Sequence, residues 1–302
     1  MSHMLSPRRS RAFGAVAVAT LALAIPAAAS AAGGFPLAVQ DSPSGVLSPD
    51  SATRYLTVTV AGRTALLAQQ TATGRIANRL DVRGRFGIPV VASDSTAGGI
   101  SHDGRTLVLV RARDGFPQAR TTLAVLSLKP RLRLRRTVRL RGDFSFDALS
   151  ADGRSLFLVN YIGAPDPTRY RVRVYDLIRD RLEPKAVVDP RESPDEMNGT
   201  ALARVSGSGG RWAYTLYDGA GKHPFIHALD TRDRKAVCID LEGGPFAAGT
   251  SAYDLRLAVA GGGSRLDLRR KGALAATVDT ATFRVRTAAA AIAAARSVAR
   301  AS

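Results

Sequence analysis

The sequence predicts an all-β protein built from repeated four-stranded units, and two observations support this prediction. First, a turn motif recurs along the chain: residues 101–110 (SHDGRTLVLV) match residues 150–159 (SADGRSLFLV) almost position for position. Looser copies place further turn centres near residues 50, 208 and 262, so the five centres lie about 49 to 56 residues apart. Second, apolar runs alternate with polar turns at the spacing of short strands. Repetition of such a unit predicts a β-propeller.

Each unit begins with an inner strand and an Asp-Gly turn, in which glycine supplies the positive φ of a tight turn. The second strand, such as Leu107–Val110, is apolar at every position, which predicts burial on both faces. A loop leads to a third strand, as at Tyr170–Leu177, and the last strand alternates, as in Leu132–Arg135. We therefore predict one propeller domain over residues 35–287 with five blades; six blades, one of them unrecognised, is the alternative.

Several segments resemble a known class of propellers. The pattern Ser-x-Asp-Gly-x-x-Leu, together with Val174–Leu177 (VYDL) and Thr277–Thr282 (TVDTAT), resembles bacterial WD-repeat-like propellers of the surface-layer YVTN and TolB type. Trp212–Tyr217 and Pro224–Asp230 are similar to exported propellers of actinobacteria that lack an assigned activity. The resemblance implies a fold and an exported protein. It supplies no catalytic residues.

The N-terminal residues 1–31 predict an export signal peptide. Arginines at positions 8, 9 and 11 precede the apolar stretch Ala12–Ile25, and Pro26 stands before the small-residue cleavage site Ala29–Ala31. An uncleaved membrane anchor is the alternative, and the sequence leaves Sec and twin-arginine export open. We expect an extracellular, cell-wall or periplasmic location.

The last segment, residues 288–302, is nearly all alanine with a few arginines. Alanine favours helix, but the segment has little apolar bulk with which to dock. We predict a helical or disordered surface tail.

The composition is strongly basic, with a formal net charge of +18, and this favours an anionic partner. One strand carries a row of arginines, here called the basic stripe, which we predict to project from a single face of an exposed outer strand. Its members are Arg131, Arg133, Arg135, Arg136, Arg139 and Arg141. Charges on an edge strand also block aggregation. Because no aromatic residues alternate with these arginines, nucleic acid is not expected as a partner, whereas peripheral contact with a membrane surface is compatible with the charge.

The topology of a propeller predicts where a binding site lies. The Asp-Gly turns all lie on one face, whereas the long loops between second and third strands and between blades lie on the opposite face, here called the loop face. Long loops on a rigid scaffold are where binding sites are usually built. The candidate binding residues are therefore Arg111, Arg113, Phe116, Tyr161, Asp166, Arg169, Arg191, Glu192, Tyr217 and His223.

No metal, cofactor or catalytic residue is predicted. His223 and His227 make a weak metal signal without further ligands, and the acidic loop Asp189–Glu196 matches no calcium-loop spacing. Cys238, the single cysteine, is predicted to be a buried and unreactive thiol, because no base lies near it in the sequence.

Taken together, these features predict an exported, monomeric, non-enzymatic propeller that binds an envelope protein or an anionic envelope polymer through its loop face. The alternative is an enzyme, such as a lactonase or other hydrolase, with its active site at the mouth of the central channel. A cluster of carboxylates converging on the channel would favour that alternative.

Overall fold

The protein is all-β, and its strands form five consecutive antiparallel sheets. The computed structural model describes residues 42–163, 166–192, 197–247 and 250–288. All of them belong to residues 33–302, the second of two units into which the chain divides. The predicted signal peptide and, beyond Ala288, the predicted C-terminal tail lie outside the described residues. Within the described part, no helix is long and apolar enough to cross a bilayer.

In each sheet the strands are ordered as they occur in the chain. Sheet 1 contains β1 (Val46–Leu47), β2 (Thr53–Val60), β3 (Arg63–Gln70) and β4 (Ile76–Arg83), and sheet 2 contains β5 (Phe86–Gly87), β6 (Thr106–Arg111), β7 (Arg120–Ser127) and β8 (Arg133–Arg141). Sheet 3 contains β9 (Phe144–Leu149), β10 (Ser155–Gly163), β11 (Asp166–Asp176) and β12 (Arg181–Val187), with the short β13 (Met197–Asn198) pairing to β11. Sheet 4 contains β14 (Ala201–Ser206), β15 (Trp212–Tyr217), β16 (Phe225–Asp230) and β17 (Lys235–Asp240), and sheet 5 contains β18 (Leu255–Ala260), β19 (Arg265–Arg270), β20 (Ala273–Asp279) and β21 (Val285–Thr287). Short 3₁₀ turns span Ser208–Gly210, Gly219–Gly221, Gly244–Phe246 and Gly261–Gly263.

The repeated turn is held by a hydrogen-bond pattern that its sequence encodes. In sheet 2, Ser101 Oγ donates to Asp103 Oδ1 at 2.6 Å, and the Thr106 amide donates to Ser101 Oγ at 3.0 Å. Gly104 takes a φ of +65°. The same bonds recur in sheet 3, where Ser150 Oγ donates to Asp152 Oδ1 at 2.6 Å. The predicted Asp-Gly turns between the first two strands of a unit are therefore confirmed.

Each sheet packs against the next through a buried apolar cluster. The second strands supply most of it: Leu107 and Leu109 face sheet 1, whereas Val108 and Val110 face sheet 3, and all four are at most 1% exposed. This confirms that the apolar runs are buried on both faces. Four clusters join sheets 1 and 2, 2 and 3, 3 and 4, and 4 and 5. Sheets packed face to face in chain order form the propeller arrangement.

No buried cluster of the described residues joins sheet 5 to sheet 1. The alternation of sheet 1 shows why: Tyr55 and Leu66 point toward sheet 2, whereas Leu56, Val58 and Leu67 point the other way. Every side chain on that outward face is partly or fully exposed, and Val60 is 67% exposed. The described ring is thus open between its first and last sheets.

A hairpin crosses the centre of the ring. Residues 88–98, here called the strap, leave the inner strand of sheet 2 and fold back through a Val90–Ala97 bridge. The tip then pairs with β14, where the Ser93 amide donates to the Ala201 carbonyl at 2.9 Å and the Asp94 amide to the Leu202 carbonyl at 3.1 Å. Ala92 is fully buried beneath it. The strap therefore ties sheet 2 directly to sheet 4.

Candidate functional site

The loop face of sheets 2 to 4 carries a small central hollow and a larger side pocket. The hollow has a volume of about 50 Å³ and lies beside the strap, with Val90 and Val91 on one side. The remaining walls come from sheets 3 and 4: Ser145, Phe146, Asp147, Val159, Tyr161, Pro167, Thr168, Tyr170, Gly199, Thr200, Ala201 and Tyr217. The strap thus contributes one wall of this hollow.

A continuous row of aromatic rings runs across this face. Phe116 contacts Tyr161 with 5.6 Å between ring centroids, Tyr161 contacts Tyr170 at 6.1 Å, and Tyr170 contacts Tyr217 at 5.9 Å. Tyr217 then stacks on Phe225 at 5.1 Å. Three of the predicted binding residues, Phe116, Tyr161 and Tyr217, belong to this row, although their strands and loops come from three different sheets.

Two buried ion pairs lie beneath the aromatic row. Arg113, a predicted binding residue, pairs with Asp143 and also donates to Ser145 Oγ at 2.9 Å. Its guanidinium lies 5.4 Å from the centroid of the Tyr161 ring. Arg204 pairs with Asp147 and donates to the Asp147 carbonyl at 3.0 Å. Because breaking a buried pair leaves an uncompensated charge, both pairs fix the positions of the loops and inner strands.

The side pocket lies between sheets 3 and 4 and has a volume of about 320 Å³. Its apolar wall includes Val172, Val187, Met197 and Phe225. Its charged and polar residues are predominantly acidic: Asp189, Glu192, Asn198, Lys222, His223, His227, Asp240 and Glu242. Four carboxylates and one lysine make this pocket acidic on a chain whose net charge is +18.

Asp189 is buried in the wall of the side pocket. Burial opposes its ionisation, but hydrogen bonds from the Arg191 guanidinium and from the amides of Arg191 and Cys238 outweigh burial and lower the pKa of Asp189 to about 2. The predicted binding residue Arg191 therefore neutralises Asp189. Asp195 and Glu196 of the same loop lie outside the described residues.

The pairing of β16 with β17 places His227 directly opposite Cys238. Sequence reasoning found no base near this thiol, although the register of the short hairpin around residues 231–234 could have indicated one. Burial lowers the pKa of His227 to about 4 and raises the pKa of Cys238 to about 12. Both groups are therefore neutral at pH 7, and the thiol is not activated as a nucleophile.

The other predicted residues are dispersed over the loop face. Arg111 ends β6 and is exposed, and Arg169 lies in β11 opposite Asn198. Asp166 accepts hydrogen bonds from the Thr168 amide and hydroxyl at 2.8 and 2.6 Å, so it caps its own turn. His223 Nδ1 lies 3.2 Å from the Phe246 carbonyl oxygen. Among the residues that the structure describes, no three metal-ligating side chains converge.

The prediction that the basic stripe projects from one face is wrong. A β-bulge at Arg135 shifts the register of β8, since Leu134 lies opposite Leu126 whereas Arg136 lies opposite Val125. Arg136 therefore shares the sheet 3 side with Val138 and pairs with Asp180 at 2.5 Å. Leu134 is 41% exposed instead of packed.

The arginines of the basic stripe thus lie on both sides of sheet 2. Arg139 and Arg141 lie on the sheet 1 side with Thr137, and Arg133 lies on the sheet 3 side. Arg131 lies before the strand begins. A bulge inserts one residue and reverses the alternation beyond it, which the residue pattern alone did not reveal.

No protein-family model and no curated protein matches this sequence. Among solved structures, the β-propeller domain of Swd1 (Cps50) from Myceliophteria thermophila is similar with a TM-score of 0.45 and 11% identity, over 81% of this chain and 75% of that one. TolB from Acinetobacter baumannii gives 0.40 and 12% over 80% of this chain and 54% of that one. Prolyl oligopeptidase B from Galerina marginata gives 0.49 and 14% over 80% and 33%.

Proposed function

We propose that this protein is an exported, non-enzymatic binding protein that receives an envelope protein on the loop face of sheets 2 to 4, with a basic side chain of the partner in the side pocket. The observation that carries the proposal is the charge of that pocket: besides Asp189, which Arg191 neutralises, three exposed carboxylates and one lysine line about 320 Å³ on a chain of net charge +18. A cationic group is attracted there, whereas an anionic one is repelled.

The lining suits a lysine or arginine side chain in particular. Because Asp189 is already paired with Arg191, the carboxylates left to recognise a cation are Glu192, Asp240 and Glu242, all of which are exposed. Val172, Val187 and Met197 provide apolar contact for the aliphatic stem of such a side chain. This combination favours a protein partner over an anionic polymer at the side pocket.

The chemistry of the site favours binding over hydrolysis. The thiol of Cys238 and the imidazole of His227 are both neutral at pH 7, since burial shifts their pKa values in opposite directions. Asp147 and Asp143, the carboxylates beneath the aromatic row, are each paired with an arginine. Neither arrangement supplies the activated nucleophile and base that a hydrolase requires.

Fluorescence anisotropy of the full chain with the labelled peptides GKGKG and GEGEG tests this proposal. We expect GKGKG to bind more tightly, and the double variant Glu192→Gln with Asp240→Asn to weaken it about fivefold, because exposed ion pairs contribute ~0.2–1 kcal/mol each. Asp114→Asn is the matched control, since Asp114 lies on the same face and its side chain is 90% exposed. Equal binding of both peptides, or an equal loss in the control, would refute the proposal.

An anionic envelope polymer is a second candidate, and a different surface favours it. Arg141 lies directly opposite Arg120 on β7, and Arg139 shares their side of sheet 2. Like charges at opposed positions destabilise a sheet, and a bound anion relieves that repulsion. Binding of polyphosphate that falls steeply with salt and is reduced by Arg139→Gln with Arg141→Gln supports this candidate; binding that these changes leave intact contradicts it.

A further inference from the structure

The central hollow contains a buried polar atom that lacks a partner. Asp147 is 3% exposed, and its Oδ1 is held by Arg204, but its Oδ2 has no hydrogen-bond partner among the described residues. Asp147 belongs to the lining of the hollow. Leaving a buried acceptor unpaired costs about 1–3 kcal/mol, and more for a charged group, so such an atom indicates a bound donor.

The rings around the hollow are tyrosines. Tyr161, Tyr170 and Tyr217 all line it, and Tyr170 and Tyr217 are each 3% exposed. Burial raises the pKa of all three phenols, that of Tyr161 to about 12, so the rings stay neutral. The face of a neutral aromatic ring is electron-rich and attracts cations.

The residues that line the hollow favour a particular class of ligand. The free Asp147 oxygen only accepts hydrogen bonds, and the electron-rich rings repel anions, so a donor with positive charge is favoured. The nearby guanidinium groups of Arg113 and Arg204 are paired with Asp143 and Asp147, while the Nε atom of each makes no hydrogen bond among the described residues. The volume of about 50 Å³ is sufficient for a small polar group, since one water molecule requires only about 10–15 Å³ on a comparable scale.

We propose that the central hollow binds a primary ammonium group, either a small alkylammonium ion or the end of a lysine side chain, between the Asp147 carboxylate and the tyrosine rings. One N–H of the ammonium donates to Asp147 Oδ2, and the positive charge lies against the rings. The site lies on the same loop face but shares no lining residue with the side pocket, so the two sites can be tested separately.

The test is a titration of the full chain, with ring-labelled tyrosines observed by NMR, using methylammonium chloride against sodium chloride at constant ionic strength. We expect saturable shifts of the Tyr161, Tyr170 and Tyr217 resonances with methylammonium, and no such shifts of Tyr175 or Tyr55. Tetramethylammonium, which has no N–H and is bulkier, is expected to produce no saturation. Identical responses to methylammonium and sodium would mean that the hollow holds only water, and would overturn the proposal.

Asp147→Asn removes the charge of the proposed acceptor and is the direct test of the site. If that variant does not fold, two substitutions at Tyr161 still test the proposal. Tyr161→Phe retains the ring and is expected to keep methylammonium affinity within about twofold. Tyr161→Leu removes the ring and is expected to weaken affinity about fivefold, since a cation–ring contact contributes ~0.5–1 kcal/mol or more. Where Asp147→Asn folds, it is expected to abolish saturation. Equal affinities of the Phe and Leu variants would contradict the ammonium site.

Discussion

Within the described residues, no buried cluster joins sheets 5 and 1, and this leads to a quantitative prediction about the stability of valine-to-threonine variants in sheet 1. Threonine has nearly the shape of valine and keeps the strand preference of a β-branched residue, but it adds a hydroxyl. Val60, at the end of β2, points outward and is 67% exposed. Val82, on β4 of the same sheet, is 3% exposed and packs toward sheet 2. The same substitution therefore probes two faces of one sheet.

The expected magnitudes follow from these exposures. At Val60 the new hydroxyl remains hydrated, so Val60→Thr is expected to change the free energy of unfolding by less than about 0.5 kcal/mol. At Val82 the hydroxyl is taken out of water, and Val82→Thr is expected to cost about 1–3 kcal/mol. Urea unfolding followed by circular dichroism measures both as changes in midpoint at constant slope.

The result that refutes the reasoning is a loss of more than about 1.5 kcal/mol for Val60→Thr. Such a loss would mean that another element covers the outward face of sheet 1 and desolvates the hydroxyl. A small loss at both positions would instead show that the two faces of the sheet are equally solvated, contrary to the burial of Val82 and Leu66.

Three further predictions concern the strap and the side pocket. Gly98→Ala is expected to lower stability by about 1–3 kcal/mol in thermal unfolding, because a Cβ there would lie 2.9 Å from Phe146 and Val91 side-chain atoms; an unchanged melting temperature would contradict the packing of the strap. The folded-state pKa of His227, about 4, lies below its usual 6.5. The contribution of this group to the free energy of unfolding is therefore fully present above pH 6.5 and is lost as the pH falls toward 4. It amounts to about 3 kcal/mol, and His227→Asn should flatten this part of the pH–stability curve. Because burial raises the pKa of Cys238 to about 12, iodoacetamide at pH 8 should modify it at least tenfold more slowly in the folded than in the urea-unfolded chain, and equal rates would refute its protonated state.

The parts of the fold that the sequence predicted are those that local chemistry determines. Ser101, Asp103 and Gly104 form their turn with bonds among neighbouring residues, so the motif is visible wherever it recurs. The second strands could also be predicted, because an unbroken apolar run of this length is typical of a strand that is buried on both faces. Five units and their strand order followed from these two signals.

The features that the sequence did not predict depend on distant partners. The strap was not predicted, since its tip bonds to a residue 108 positions away and no local motif encodes that pairing. Arg113 was expected to contact a ligand, yet it pairs with Asp143 beneath the aromatic row. The bulge in β8 shifts the register between Leu134 and Arg136, and the alternation of arginines and leucines in the sequence did not reveal it.

The distribution of packing explains why the candidate sites lie where they do. Sheets 2, 3 and 4 are each covered on both faces by buried clusters, and the strap links sheet 2 to sheet 4 across the centre. In the described residues, sheets 1 and 5 are covered on one face only, so they contribute less rigidity per strand. Recognition requires side chains held in place before the ligand arrives. The aromatic row, the hollow and the side pocket all lie on the three sheets that are packed on both faces.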